Sequence, residues 1–186
     1  MSQGLIIFLG PPGAGKGTQA EKYSELKTLA HISTGVMLRN HVEDGTELGI
    51  IAKDILERGD LVPDDLVISM LQERLKEEDA KKGAILDGFP RTIPQAESLQ
   101  NIGEQIQISS VVVFEVPEQI LIERMLARGR TDDNEETIKQ RFEIYEKEVS
   151  PLISFYAGNN LIKIDGVGEE EDIYRDLTIK LEPYIK

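Results

Sequence analysis

Gly10-Pro11-Pro12-Gly13-Ala14-Gly15-Lys16-Gly17-Thr18 is the stretch on which the reading of this chain turns. It follows the apolar run Leu5-Ile6-Ile7-Phe8-Leu9 and precedes a helical pattern carrying Ala20, Tyr23 and Leu26, so it forms the turn between a strand and a helix. Glycine lets the backbone turn with its N–H groups pointing inward, and the start of a helix adds the positive end of its dipole. Together these make a cradle for a polyphosphate at Gly13, Ala14, Gly15, Gly17 and Thr18. Lys16 supplies a mobile positive charge to the outer phosphates. A flexible glycine turn with a solvated lysine is the bland alternative, and it leaves four glycines and a lysine at fixed offsets unexplained. The general phosphate-loop pattern has Ser or Thr directly after the lysine, whereas Gly17 stands there, so that position has no hydroxyl to offer a metal.

Outward from this loop, short apolar runs alternate with longer amphipathic stretches, which predicts an α/β fold. Strands are expected at Leu5 to Leu9, Ala30 to Ile32, Ala84 to Leu86, Val111 to Val116 and Leu161 to Asp165. They lack polar alternation, as parallel strands covered on both faces do. Asp64 or Asp65 is expected to cap a helix through Leu66, Met70, Leu71 and Leu75, and Pro117 with Glu118 opens another. Asp133 with Glu136 has the form of a capping box for a long helix through Ile138, Phe142 and Tyr145, which Pro151 bends or breaks. The expected architecture is a doubly wound, five-stranded parallel sheet with ligands at the carboxyl ends of its strands.

The chain has 186 residues, enough for one globular domain, and a formal net charge of −13. That charge argues against a broad nucleic-acid or anionic-membrane surface. With no cysteine, disulfides and thiolate metal sites are excluded, and a reducing, cytoplasmic setting is expected. Leu5 to Leu9 is too short for a membrane span or a signal-peptide core. Against this acidic background the arginines cluster. Arg124 and Arg128 lie four apart on one helical face, where like charges repel, and Arg130 and Arg141 follow. Pairing with Asp132, Asp133 and Glu135 is one explanation; a polyphosphate as the missing partner is the other. His31 and His41 stand in no nucleophile or base constellation and are expected to be structural or exposed.

Five motifs in order resemble the adenylate kinases along nearly the whole chain. They are Gly-Pro-Pro-Gly-Ala-Gly-Lys-Gly-Thr-Gln at 10–19, Ser33-Thr34-Gly35 with Met37-Leu38-Arg39, Leu86-Asp87-Gly88-Phe89-Pro90-Arg91, Arg124 with Arg128, and the stretch from Arg130 to Arg141. The resemblance implies reversible phosphoryl transfer between ATP and AMP, giving ADP and balancing the adenine nucleotides. It implies a P-loop core (1–32, 63–126 and 134–186), a helical AMP-binding flap (33–62) and a very short lid (127–133) too short for a zinc cluster. Lys16 and Arg128 would face ATP, with the Gly168 backbone touching its adenine. Thr34, Arg39, Gln95, the backbone of Asp60, Leu61 and Val62, and the turn Gly88, Phe89, Pro90 and Arg91 would hold AMP. By itself this turn reads as stiff and extended, since Pro90 restricts Phe89. Arg130 and Arg141 would reach the AMP phosphate and the transferred group, with Arg124 in support. Asp87 would organise Mg²⁺ through its water shell, and the protein would act as a monomer.

The chain departs from the family pattern at Val36, where relatives commonly carry Asp; that puts any magnesium role of such a carboxylate in doubt. The nearest alternative is a UMP/CMP kinase of the same architecture, against which Thr34 and Thr92 stand, because those relatives usually show Ala and Asn there. A non-transferase P-loop regulator is the alternative from another class, and it has no need of Thr34, Arg39, Arg91 and Gln95.

Overall fold

The structure, a computed structural model, describes residues 3–102, 106–130 and 133–184. Strands β1 (Gln3–Leu9), β2 (Ala30–Ser33), β3 (Ala84–Asp87), β4 (Ile106–Glu115) and β5 (Leu161–Asp165) form one sheet in the order β2-β3-β1-β4-β5. Every pairing is parallel. All five expected strands are present. β4 begins at Ile106 rather than Val111 because Gln3 to Ile6 of β1 continue the ladder against Ile106 to Ser110. Backbone pairing, not the apolar run, sets that end. β2 and β3 each run one residue past their apolar stretch, to Ser33 and Asp87, which stand side by side at the carboxyl edge.

Successive residues of a strand face opposite sides, so β1 divides its side chains between two cores. Leu5, Ile7 and Leu9 pack with Leu38, Leu71, Leu99 and Leu152, whereas Ile6 and Phe8 pack with Tyr23, Leu121, Met125 and Leu177. The second core is covered by α1 (Lys16–Lys27), α6 (Glu118–Arg128) and α9 (Glu170–Leu181). The first is covered by α4 (Asp64–Leu75), α5 (Ile93–Gln100) and α8 (Pro151–Phe155), with α2 (Thr34–Glu43) and α3 (Glu47–Arg58) beyond them. α2 and α3 cross so closely that a Cβ on Gly49 would lie 1.8 Å from the His41 carbonyl oxygen. His41 Nδ1 pairs with Thr46 Oγ1 at 2.9 Å, a structural role.

Two of three local expectations are corrected, and the break at Pro151 is present. α4 begins at Asp64 itself, after Pro63, and no side chain caps it. The Asp64 carboxylate is instead taken by Thr92 and Gln95, two donors from another element. At α7 (Glu135–Ile144) Asn134, not Asp133, is the cap, its Oδ1 accepting from Thr137 N at 2.9 Å. Asp133 is drawn to guanidinium groups, which bind a carboxylate more strongly than a neutral amide does. α7 also ends before Pro151, passing through a π-helical turn at Tyr145–Val149 into α8. Proline is accommodated as the first residue of α8, where its missing N–H is not needed.

Candidate active site

The phosphate loop lies where expected, between β1 and α1. Lys16 Nζ donates to the Gly10 and Pro11 carbonyls at 2.8 and 2.7 Å, folding back over its own loop. Gly13 has a φ of +83°, and a Cβ there would meet the Leu121 carbonyl oxygen at 2.9 Å. Glycine is therefore required both for the turn and for the approach of α6. Burial pulls the Lys16 pKa from 10.5 to about 8; Asp87 resists that fall, while Arg91 and Arg128 add to it.

Asp87, at the carboxyl end of β3, lies close to the glycine that follows the lysine. A Cβ on Gly17 would lie 3.3 Å from Asp87 Oδ2, so a larger residue would crowd this carboxylate. Burial opposes the charge on Asp87, but His31, Lys16 and Ser33 outweigh it and hold the carboxyl below its ordinary range. His31 Nε2 is 3.7 Å from Asp87 Oδ2 and the ring lines the cleft, so His31 is not a bystander. The signal that would have found it is register: β2 lies beside β3, with Ser33 opposite Asp87.

The arginines gather around a carboxylate. Arg128 makes a bidentate pair with Asp133, Nε to Oδ2 at 2.9 Å and Nη2 to Oδ1 at 2.7 Å. Arg141 Nη1 donates to Oδ1 at 3.1 Å and the Arg130 amide to Oδ2 at 3.3 Å. The Asp133 side chain is 0% exposed. Burial opposes its charge, yet Arg128, the Arg130 amide and Arg141 keep it below the usual carboxylate range. Pairing with Asp133 is thus present, and it leaves Arg128 and Arg141 gathered at the cleft rather than dispersed. Thr131 and Asp132, the middle of the expected lid, lie outside the described residues. Arg124 Nη2 donates to Gly166 O at 2.9 Å, tying α6 to the loop that carries Gly168.

Across the cleft, the Phe89–Pro90 peptide is cis, where an extended turn was expected. Gly88 O accepts from Thr34 Oγ1 at 2.8 Å and from Arg91 Nε at 2.9 Å. A Cβ on Gly35 would lie 3.6 Å from the Arg39 guanidinium and 3.8 Å from Arg91 Nη2, which brings these two cations together. Burial depresses the pKa of Arg91, with Asp87 supporting its charge and Arg141 opposing it. Gln95 is 2% exposed and bonded at both ends of its amide, its Oε1 accepting from Arg91 N at 2.7 Å and its Nε2 donating to Asp64 Oδ1 at 2.7 Å.

The phosphate loop, Asp87, His31, Arg91 and the clustered arginines line one cleft of about 690 Å³. Among the described residues, seven cations face it, Lys16, Arg39, Arg91, Arg124, Arg128, Arg130 and Arg141, against the carboxylates Glu21, Asp60, Asp87 and Glu170. In a chain of net charge −13 this is a marked local reversal of sign. Gly13, Ala14, Gly15, Gly17, Thr18, Leu61, Gly88, Pro90 and Gly168 also line it. Thr34, Val62, Phe89 and Gln95 do not line it; all four are buried behind its wall. Val36 lines the cleft and is 45% exposed. A cleft so built can hold two anionic phosphate chains and neutralise charge between them.

The family model described as adenylate kinase matches residues 8–161. An adenylate kinase from Corynebacterium urealyticum is 45% identical over 170 residues, covering 90% of this chain and 93% of the relative. One from Trichodesmium erythraeum is 48% identical over 169 residues, covering 87% of this chain and 88% of the relative. One from Leptospira biflexa is 47% identical over 175 residues, covering 90% and 94%.

Proposed function

The chain belongs to the adenylate kinase family, and on that premise we propose how its cleft transfers a phosphoryl group reversibly between ATP and AMP. The observation that carries the reading is the surplus of cations in one cleft, with Lys16 on one wall, Arg91 on the other and Asp87 acting on both.

ATP lies along the amides of Gly13 to Thr18 with Lys16 at its outer phosphates, and Gly168 meets its adenine. AMP lies between Arg39 and Arg91, its base toward Asp60, Leu61 and Val62. Thr34 Oγ1 already donates its proton to Gly88 O, so it meets the base as an acceptor. Gln95 meets the base with the second amide N–H and the second oxygen lone pair, keeping its bonds to Asp64 and Arg91 N. The attacking atom is an AMP phosphate oxygen, ionised at neutral pH, so no general base is needed. The protein's work is positioning, charge neutralisation and exclusion of water. Residues 33–62 act as a flap and 127–133 as a lid, closing to shut water out. Arg128 moves from Asp133 to ATP, and Arg141 moves from Asp133 to join Arg130 at the AMP phosphate and the transferred group, with Arg124 in support.

Asp87 offers one ionised carboxylate beside Lys16, which fits a magnesium ion that arrives with ATP and keeps its water shell. When bound, Mg²⁺ supplies charge neutralisation at the phosphates. Among the described residues no helix is long and apolar enough to cross a membrane. Both nucleotide subsites come from one chain, which supports a monomer, and the absence of cysteine supports work in the cytoplasm.

The test is a steady-state comparison of AMP, CMP, UMP and GMP as acceptors with ATP, with and without magnesium. The expected result is ADP formation with AMP far above the others. Preference for CMP or UMP would identify the pyrimidine alternative. Tight ATP binding without ADP formation would identify a regulator.

A further inference from the structure

Asp64 stands at the start of α4, just after the cleft-lining residues Asp60 and Leu61, and does not itself line the cleft. Both of its oxygens are occupied. Oδ2 accepts from Thr92 Oγ1 at 2.9 Å and Oδ1 accepts from Gln95 Nε2 at 2.7 Å. Thr92 Oγ1 in turn accepts from Gln95 N at 3.2 Å, so its proton must point at Asp64.

A carboxylate only accepts hydrogen bonds, and this fixes the amide of Gln95. Its NH₂ must face Asp64 and its oxygen must face Arg91 N, 2.7 Å away. The Arg91 peptide is held in this way, and its side chain is folded onto Gly88 O beside Thr34. A continuous run of directed bonds therefore joins Asp64, two residues past segment 33–62, to the turn that carries Arg91. The run includes Gln95, itself 2% exposed. A buried network of this kind holds a single arrangement only while each member keeps its donor or acceptor sense.

We propose that Asp64 is a positioning residue for the acceptor subsite. It sets the orientation of the Gln95 amide and the placement of the Arg91 peptide, and so determines acceptor affinity and base preference without touching the acceptor. The proposal rests on reading the Arg91 side of the cleft as the acceptor subsite.

The experiment compares wild type, Asp64→Asn and the double variant Asp64→Asn/Gln95→Glu. Asp64→Asn places a donor where one oxygen stood and breaks the sense of the network. The double variant restores one donor and one acceptor across the gap and leaves the net charge as it was. KM for AMP is expected to rise about tenfold in Asp64→Asn, the loss of one charge-assisted hydrogen bond. KM for ATP should stay within about twofold, and the double variant should recover at least half of the loss on a logarithmic scale. The Gln95 side-chain amide resonances should move in Asp64→Asn without nucleotide. Equal changes in both KM values, or none, with unmoved Gln95 resonances, would overturn the proposal. If Asp64→Asn fails to fold, Thr92→Val, which removes one of the two donors to Asp64, serves instead. It should raise KM for AMP selectively, and an unchanged KM would overturn the proposal equally. Arg91→Ala separates the two readings: if it leaves KM for AMP unaltered, the acceptor subsite itself is misplaced, whatever Asp64 does.

Discussion

In the ligand-free protein Lys16 loses its proton at about pH 8, so ATP should bind progressively less well as the pH passes that value. Burial is the main cause, Arg91 and Arg128 add to it, and Asp87 limits it. The drop from 10.5 to about 8 corresponds to about 3 kcal/mol against charging this ammonium in the folded chain. For folding the sign is clear. The native state binds fewer protons than the unfolded state between about pH 8 and 10.5, so this penalty is present below pH 8 and is relieved as the pH rises. ATP works in the opposite direction, because its phosphates favour the protonated lysine. Affinity should therefore fall toward about tenfold per pH unit above pH 8, and binding at about pH 8.5 should take up more than half a proton. Titration calorimetry from about pH 7.5 to 9.5, in two buffers of different ionisation enthalpy at fixed ionic strength, measures both quantities. Asp87→Asn should move the inflection to lower pH and Arg128→Gln to higher pH. Constant affinity across this range with no proton uptake would show that Lys16 keeps its proton well above pH 8.

Arg91→Ala should keep the fold and lose about a hundredfold or more in kcat/KM for AMP, since a buried phosphate clamp is removed; a thermal melt and steady-state kinetics check it. Asp133→Asn should destabilise the protein by about 2 kcal/mol or more, lowering the melting temperature, because four N–H donors from three residues lose a buried carboxylate. Gly13→Ala and Gly15→Ala form a matched pair. Both positions have φ near +84°, but only Gly13 has a carbonyl oxygen 2.9 Å from the new Cβ, so Gly13→Ala should melt lower. Gly15→Ala should cost about 1 kcal/mol, the conformational penalty alone.

The sheet was legible because apolar runs without alternation can be covered only from both sides, and β1 indeed divides Leu5, Ile7 and Leu9 from Ile6 and Phe8. The phosphate loop was legible because its chemistry is local, held in consecutive residues. What local reading missed depended on distant partners. Asp133 looked like a helix cap, since a capping box and a buried ion pair use the same residue type; Arg128 and Arg141 decide between them. His31 looked idle because its place beside Asp87 comes from the pairing of β2 with β3. Gly17 departs from the phosphate-loop pattern, and its closeness to Asp87, seventy residues on in sequence, shows only in the fold. Gln95 was assigned to a base edge, and its engagement with Asp64 and Arg91 N could not be read from composition or spacing.

Whether both nucleotides meet in one cleft is tested most directly with a dinucleotide of two adenosines joined by a chain of five phosphates. Titration should give one molecule bound per chain, competition with both ATP and AMP, and loss of tight binding in either Lys16→Met or Arg91→Ala. Two molecules bound per chain, or competition with ATP alone, would contradict a shared cleft between Lys16 and Arg91.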